Sequence, residues 1–248
     1  MNKFFVKENQ ISNNNIKILG EDVNHIKNVL RLNYGEKIKV CDTDNTINYI
    51  CKIATISKEE VNCCIIEKIE NESEGNVELH IFQGLPKADK MELIIQKGTE
   101  LGISKFIPVT FNRSIVKLTG KDETKKIERW QKIAEVAAKQ CGRDIIPKVE
   151  NIENVKNICN LFKNYDIVLV AYELEKENFI KQELKAIEKK DKYKIAVVIG
   201  PEGGIEPFEI ELMKKQANSR IISLGKRILR TETVAMQVSS IIMYELEE

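Results

Sequence analysis

Three short stretches of this 248-residue chain bring together residue types that can hold a ligand or move a proton. Pro201-Glu202-Gly203-Gly204 follows the apolar run IAVVIG. Paired glycines after a buried strand allow positive φ and close approach of a ligand to the backbone; they equally suit a plain strand-to-helix turn. Lys226-Arg227-Ile228-Leu229-Arg230-Thr231-Glu232-Thr233 follows RIISLG. Thr231 or Thr233 suits a helix N-cap. Arg230 and Glu232 flank that cap, and an arginine beside a carboxylate can face a developing negative charge and handle a proton. The third stretch runs from Leu85-Pro86-Lys87-Ala88-Asp89-Lys90 to Lys97-Gly98-Thr99-Glu100-Leu101-Gly102. Glu100 there sits at the negative end of a helix and calls for a cationic partner.

A different signal lies between these stretches. Residues 111–148 carry ten Lys or Arg against five Asp or Glu. Helical periodicity places Lys125, Arg129, Lys132, Lys139 and Arg143 near one face and Ile127, Trp130, Ala134, Ala137 and Cys141 on the other. With Arg113 and Lys117 the basic face is either a solvated surface or a set of phosphate contacts.

Composition excludes several classes. Hydrophobic residues are 42% and charged residues 31%, which fits a globular chain. Net charge is +1, so a nucleic-acid partner must be argued from local clusters. No apolar run spans a bilayer and the first residues lack a secretory core, so we expect no membrane and a cytoplasmic protein. Six cysteines without a CxxC pair, and only two histidines, argue for reduced core thiols and no metal. No GxGxxG follows the first strand of the later region, and no P-loop or GxSxG elbow occurs, which counts against dinucleotide enzymes, nucleotidases and α/β hydrolases.

Hydropathy patterning along the chain sets the strands and helices on which these residues lie. Residues 1–70 read as strands, with one helix near Asp22 to Leu30 capped by Asp22 and turning Ile26, Val29 and Leu30 inward; short strands at this spacing suggest a small barrel. The polar run ending in Gly75 reads as a linker. Beyond it, VELHIFQ, KFIPVTF, YDIVLVAY, KIAVVIG and RIISLG alternate with helices at 89–101, 124–141, 178–190, 206–217 and 232–247. Continuous apolar strands separated by helices predict a parallel sheet covered on both faces, with ligands at the carboxyl ends of the strands.

The segments KADKMELIIQKGTELGISKFIPV, Arg113-Ser114, ERWQKIAEVAAKQCGR, VVIGPEGGIEPFEIE and LGKRILRTETVAMQ, in this order, resemble the RsmE family, which methylates uridine N3 in small-subunit ribosomal RNA; His25-Ile-Lys-Asn-Val-Leu-Arg31 resembles its early motif. The resemblance covers nearly the whole chain. It departs from the family's pattern in one place, where Val234 follows RTET in place of the usual alanine.

It implies an α/β fold in which a PUA-like β-barrel RNA-binding domain (residues 1–72) precedes a SPOUT trefoil-knot methyltransferase domain (73–248). It also implies a homodimer acting on 16S ribosomal RNA of the 30S subunit. The implied cofactor is S-adenosyl-L-methionine (SAM), held by Val170, Ala171, Tyr172, Glu173, Ile199, Gly200, Pro201, Gly203, Gly204, Leu224, Gly225, Ile228 and Leu229. Arg230, Glu232 and Glu202 would carry the chemistry, with the proton-moving carboxylate left open. Lys27, Arg31, Arg113, Lys125, Arg129, Lys132 and Arg143 would contact RNA. Action on another RNA such as tRNA, or a non-catalytic role on the ribosome, stays open at this point.

Overall fold

The computed structural model describes residues 1–71 and 73–247. They fall into two compact units: Met1–Glu74 with Ala138–Ile146, and Gly75–Ala137 with Pro147–Glu248. The chain passes from the first unit to the second after residue 74, and the return of residues 138–146 to the first unit has no signature in composition.

In the first unit, strands β1 (Lys3–Val6), β2 (Ile11–Ser12), β3 (Asn15–Leu19), β4 (Lys37–Asp42), β5 (Ile47–Ile56) and β6 (Glu60–Ile69) form one curled sheet in the order β1-β4-β5-β6-β3-β2. Alternation sets its faces: Ile16 and Ile18 of β3 point inward, while Asn15, Lys17 and Leu19 face out. The inward residues join Phe4, Val6, Ile38, Val40, Cys51, Ile53, Val61 and Cys63 in one core.

Helix α1 (Glu21–Asn24) runs into a π-helical turn, His25–Val29. Gly20, at φ +72°, occupies the cap position in place of Asp22, whose carboxylate instead takes Lys139 Nζ at 2.8 Å. The wider turn also shifts the phase of the helix. Ile26 is buried as expected, but Val29 is 61% exposed.

The segment 138–146 is tied to the first unit through Asp144. Its buried carboxylate accepts hydrogen bonds from Lys3 Nζ, from Asn48 Nδ2 at 2.7 Å and from Ser73 N at 3.1 Å, and Lys39 Nζ lies 3.5 Å away. Cys41 Sγ donates to the Asp144 carbonyl at 3.0 Å. Arg143 is only 5% exposed, and its guanidinium donates to Glu74 at 2.6 and 3.1 Å. The expected RNA contact at Arg143 is therefore corrected: this side chain is an internal tie, because periodicity reports a face but not what covers it.

The second unit is built on β7 (Val77–Gly84), β8 (Ile103–Thr110), β9 (Lys148–Val149), β10 (Glu153–Asn154), β11 (Ile167–Ala171), β12 (Tyr193–Ile199) and β13 (Ser219–Ile222), interspersed with α2 (Lys90–Glu100), α3 (Lys121–Cys141), α4 (Val155–Leu161), α5 (Ile180–Lys185), α6 (Pro207–Lys214) and α7 (Thr231–Leu246). All its pairings are parallel, in the order β10-β8-β7-β12-β11-β13, with β9 beside β8. Every residue of β11 is buried, as a strand covered on both faces requires.

Helix α4 and the two short strands before it are additions to the sequence reading, and α5 is shorter than the expected 178–190. Cys64 and Cys141 are exposed rather than core thiols. Among the described residues no helix is long and apolar enough to cross a membrane.

Asp144 gives the first testable prediction. Burial works to raise its carboxyl, but hydrogen bonds from Lys3, Ser73 and Asn48 outweigh this and hold it well below the usual carboxylate range. Removing the charge while keeping the shape, as Asp144→Asn, leaves Lys3 buried without its anion and should cost about 3 kcal/mol in urea unfolding. Because the folded-state value is depressed, this stabilisation is present above the ordinary value of 3.8 and is lost as pH falls below it. The variant's unfolding free energy should therefore be flatter in that acid range than the wild type's.

Candidate active site

The register of the parallel sheet assembles the site. Gln83 of β7 lies opposite Ile199 of β12, Ile199 opposite Ala171 of β11, and Ala171 opposite Ile222 of β13. Four strands therefore end in one row, and the loops that follow them converge there.

After β12, Gly204 donates to the Pro201 carbonyl at 2.9 Å and stands at φ +75°. A Cβ at Gly203 would lie 2.9 Å from the Arg113 carbonyl, and one at Gly200 2.7 Å from Ile205 Cγ1. The loop is thus a close-packed glycine turn that only this composition accommodates. Glu209 of α6 is buried beneath it, accepting from Glu206 N at 3.0 Å and from Asn112 N at 2.9 Å. Pro207 takes the first helical position, as expected.

After β13 the chain leaves the edge of the sheet and returns to its middle strands. Thr231 makes that return: its hydroxyl donates to the Gly200 carbonyl at 2.8 Å and accepts from Gln83 Nε2 at 2.8 Å. The cap position of α7 is held by Arg230 without a side-chain cap bond, so Thr231 links strand ends and does not cap the helix.

These loops enclose a cavity of about 500 Å3. It is lined by Ala171, Tyr172 and Glu173, by the run 199–204, and by the run 223–231. Val170 is the exception among the expected lining residues: it is fully buried and belongs to the sheet's core. Arg230 and Glu202 both face the cavity.

Lys90, at the start of α2, was not singled out by the sequence, although the strand-end rule that found the other loops applies to it equally. It lines the cavity, with Nζ 2.9 Å from Glu202 Oε1 and 3.5 Å from Glu232 Oε2. Lys87 N also donates to Glu202 Oε1 at 3.0 Å. Partial burial pushes the Glu202 carboxyl up, but the hydrogen bonds from Lys90 and Lys87 prevail and hold it below its ordinary value. The same pair raises Lys90 above the usual lysine value. Arg230 is exposed at the rim and has no ion-pair partner among the described residues.

The remaining expected residues lie elsewhere. Lys27 and Arg31 are exposed in the first unit, Arg31 at φ +54°. Arg113 is exposed but bonded to Glu206 at 2.9 Å. Lys125 is exposed, Arg129 is 2.8 Å from Glu92, and Lys132 is 3.8 Å from Glu135. Glu100 pairs with Lys97 at 2.9 Å, the cationic partner its position called for. No cluster of three or more His, Cys, Asp or Glu able to hold a metal occurs among the described residues.

Residues 73–243 match the family described as RNA methyltransferase domain, and residues 18–66 match RNA methyltransferase PUA domain. The fold and site thus define a chain of the RNA methyltransferase class. The chain is 40% identical over 93% of its length to ribosomal RNA small subunit methyltransferase E of Bacillus subtilis, covering 90% of that protein. The same-named protein of Mesomycoplasma hyopneumoniae is 31% identical over 95% of the chain and is covered over 96% of its length. A ribosomal RNA small subunit methyltransferase E from Neisseria gonorrhoeae, crystallised bound to S-adenosyl methionine, superposes with a TM-score of 0.87 at 25% identity, covering 100% of this chain and 98% of that one. The chain belongs to the ribosomal RNA small subunit methyltransferase E family.

The Thr231 link can be tested directly. Thr231→Val keeps the volume but leaves the Gly200 carbonyl and the Gln83 amide without their hydroxyl partner. It should lower stability by about 2 kcal/mol in urea unfolding. Thr231→Ser, which retains the hydroxyl, should recover most of that loss.

Proposed function

We propose that this protein transfers the methyl group of SAM to N3 of a uridine in 16S ribosomal RNA, in the cytoplasm and without a metal. The cavity of about 500 Å3 is the observation that carries this reading, because its volume and walls suit a small organic cofactor. Its floor is main chain and glycine, with no room for Cβ atoms at Gly200 and Gly203. Such a surface offers backbone donors and acceptors at close range to an adenosine and a short polar chain. Ala171, Tyr172, Glu173, Ile199, Gly200, Pro201, Gly203, Gly204, Leu224, Gly225, Ile228 and Leu229 would hold the cofactor, with Val170 supporting them from within the sheet. SAM supplies, when bound, an electrophilic methyl group on a sulfonium.

The chain's own groups then divide the remaining work. Uridine N3 must lose its proton, and negative charge spreads onto the two ring oxygens. Arg230, exposed at the rim and without an ion-pair partner among the described residues, is placed to face that charge. Of the two carboxylates, Glu202 is engaged by Lys90 and the Lys87 N–H, whereas Glu232 has Lys90 at the longer distance of 3.5 Å. Glu232 is therefore the better acceptor for the N3 proton, and Glu202 holds the loop at Lys87 and the first residue of α2, Lys90.

The expected outcome is a separation of rate from affinity. Arg230→Ala should slow methylation about a hundredfold or more, the usual loss on removing one stabiliser of a developing anion, with SAM affinity by calorimetry within a few-fold of wild type. Glu232→Gln should slow the reaction more than Glu202→Gln does. Equal loss of binding and rate for Arg230→Ala would make it a ligand-holding residue. The product base, mapped by mass spectrometry of 16S RNA from cells with and without the protein, tests the N3 assignment itself.

A homodimer is part of the same proposal, supported by α7: Tyr244 on its surface is 87% exposed although the helix is apolar around much of its circumference. Sedimentation equilibrium should show two copies for the wild type and a shift towards one for Tyr244→Lys.

A further inference from the structure

The cations that could meet an RNA backbone in the second unit differ in what already surrounds them. On α3, residues 121–137 hold five Lys or Arg and four Asp or Glu. Glu92 of α2 adds a fifth carboxylate to this surface, 2.8 Å from Arg129 and 4.0 Å from Lys126. The charges there balance, so few counterions gather that RNA could displace. Residues 224–230 are the opposite case: Lys226, Arg227 and Arg230 occur without an acidic residue among them. All three are exposed, and none has an ion-pair partner among the described residues. Between them stands Ile228, 86% exposed and also lining the cavity. Gly225 at the root of the loop has φ +117° and open space where a Cβ would be, so the glycine serves the path of the backbone and not packing.

A uridine methylated at N3 cannot be paired at that edge while it reacts, and it must leave its stack to enter a cleft. Its neighbours then lose a stacking partner, a gap that apolar side chains fill when proteins unstack bases. We propose that the loop of residues 225–228 is the RNA grip of this unit: Lys226 and Arg227 lie against phosphates flanking the target uridine, and Ile228 is the wedge beside the base that moves. This rests on the RNA methyltransferase reading above and identifies where the substrate is held.

The test uses the full-length protein and a uridine-containing single-stranded RNA oligonucleotide with 2-aminopurine next to the uridine, titrated at several salt concentrations. K226Q/R227Q should reduce the slope of log affinity against log salt by about 1.4, from about 0.7 for each lost phosphate contact on a single strand. R227K keeps the charge and should keep the wild-type slope. Ile228→Ser should leave the slope unchanged but diminish the rise in 2-aminopurine fluorescence that accompanies unstacking. A wild-type slope in K226Q/R227Q, with the loss appearing instead when Lys125, Arg129 and Lys132 are neutralised together, would overturn the assignment to this loop. An unaltered fluorescence rise in the Ile228 variant would overturn the wedge. A wild-type protein whose RNA binding ignores salt would instead remove the RNA reading itself, and the grip with it.

Discussion

One hydroxyl ties together the strand ends around the cavity. Thr231 bonds simultaneously to a side chain of one central strand and to the carbonyl that ends its neighbour. Both partners lie at the carboxyl edge of the sheet, and Gln83 is fully buried, so solvent offers no substitute. Everything the site needs from the C-terminal part of the chain follows from this anchoring. Arg230 and Glu232 are the residues on either side of the threonine, and their positions are set by where it is held. The glycine turn after β12 is fixed by the same bond, because its first carbonyl is the acceptor. A parallel sheet alone would align the strand ends but would leave the final loop unattached.

Much of the second unit was legible in its residues because burial on both faces produces unbroken apolar runs. IVLVA and KIAVV can be read as covered strands without further information. What escaped was short or shaped by partners. Strands of two residues, such as Lys148–Val149, carry no periodicity, and α4 begins at an asparagine cap within a polar stretch that resembles a loop. The early helix shows a different limit. Its apolar spacing suggested Val29 as an inward residue, but a π turn rotates everything after His25, and no residue type announces that turn.

The site was legible where strands end in glycine and ambiguous where charge decided. The rule that ligands gather at the carboxyl ends of parallel strands pointed to the loops after β12 and β13; of the thirteen residues that the family resemblance offered for the cofactor, twelve line the cavity and Val170 does not. The same rule pointed to the loop after β7, yet Lys90 was passed over because a lysine at a helix start looks like ordinary surface. Periodicity also could not tell free cations from paired ones. Arg129, Lys139 and Arg143 share a helical face in sequence, but each meets a carboxylate that lies far away along the chain. Electrostatic partners separated by dozens of residues leave no mark on local composition.

The segment that supplies Asp144 also bears on the timing of synthesis. Lys3, Asn48 and Ser73 are all made before it, and their shared acceptor is added only after β7, α2, β8 and α3 have been translated. At about 5–20 residues per second, the N-terminal sheet emerges from the ribosome several seconds before its buried lysine can be neutralised. During that interval the sheet is an incomplete fold whose final closure waits for residues encoded in the middle of the gene. A nascent chain halted before residue 144 would therefore be more open to proteases in its first seventy residues than one long enough for residue 144 to have cleared the ribosome. The order of domains along the sequence is not the order in which they can be finished.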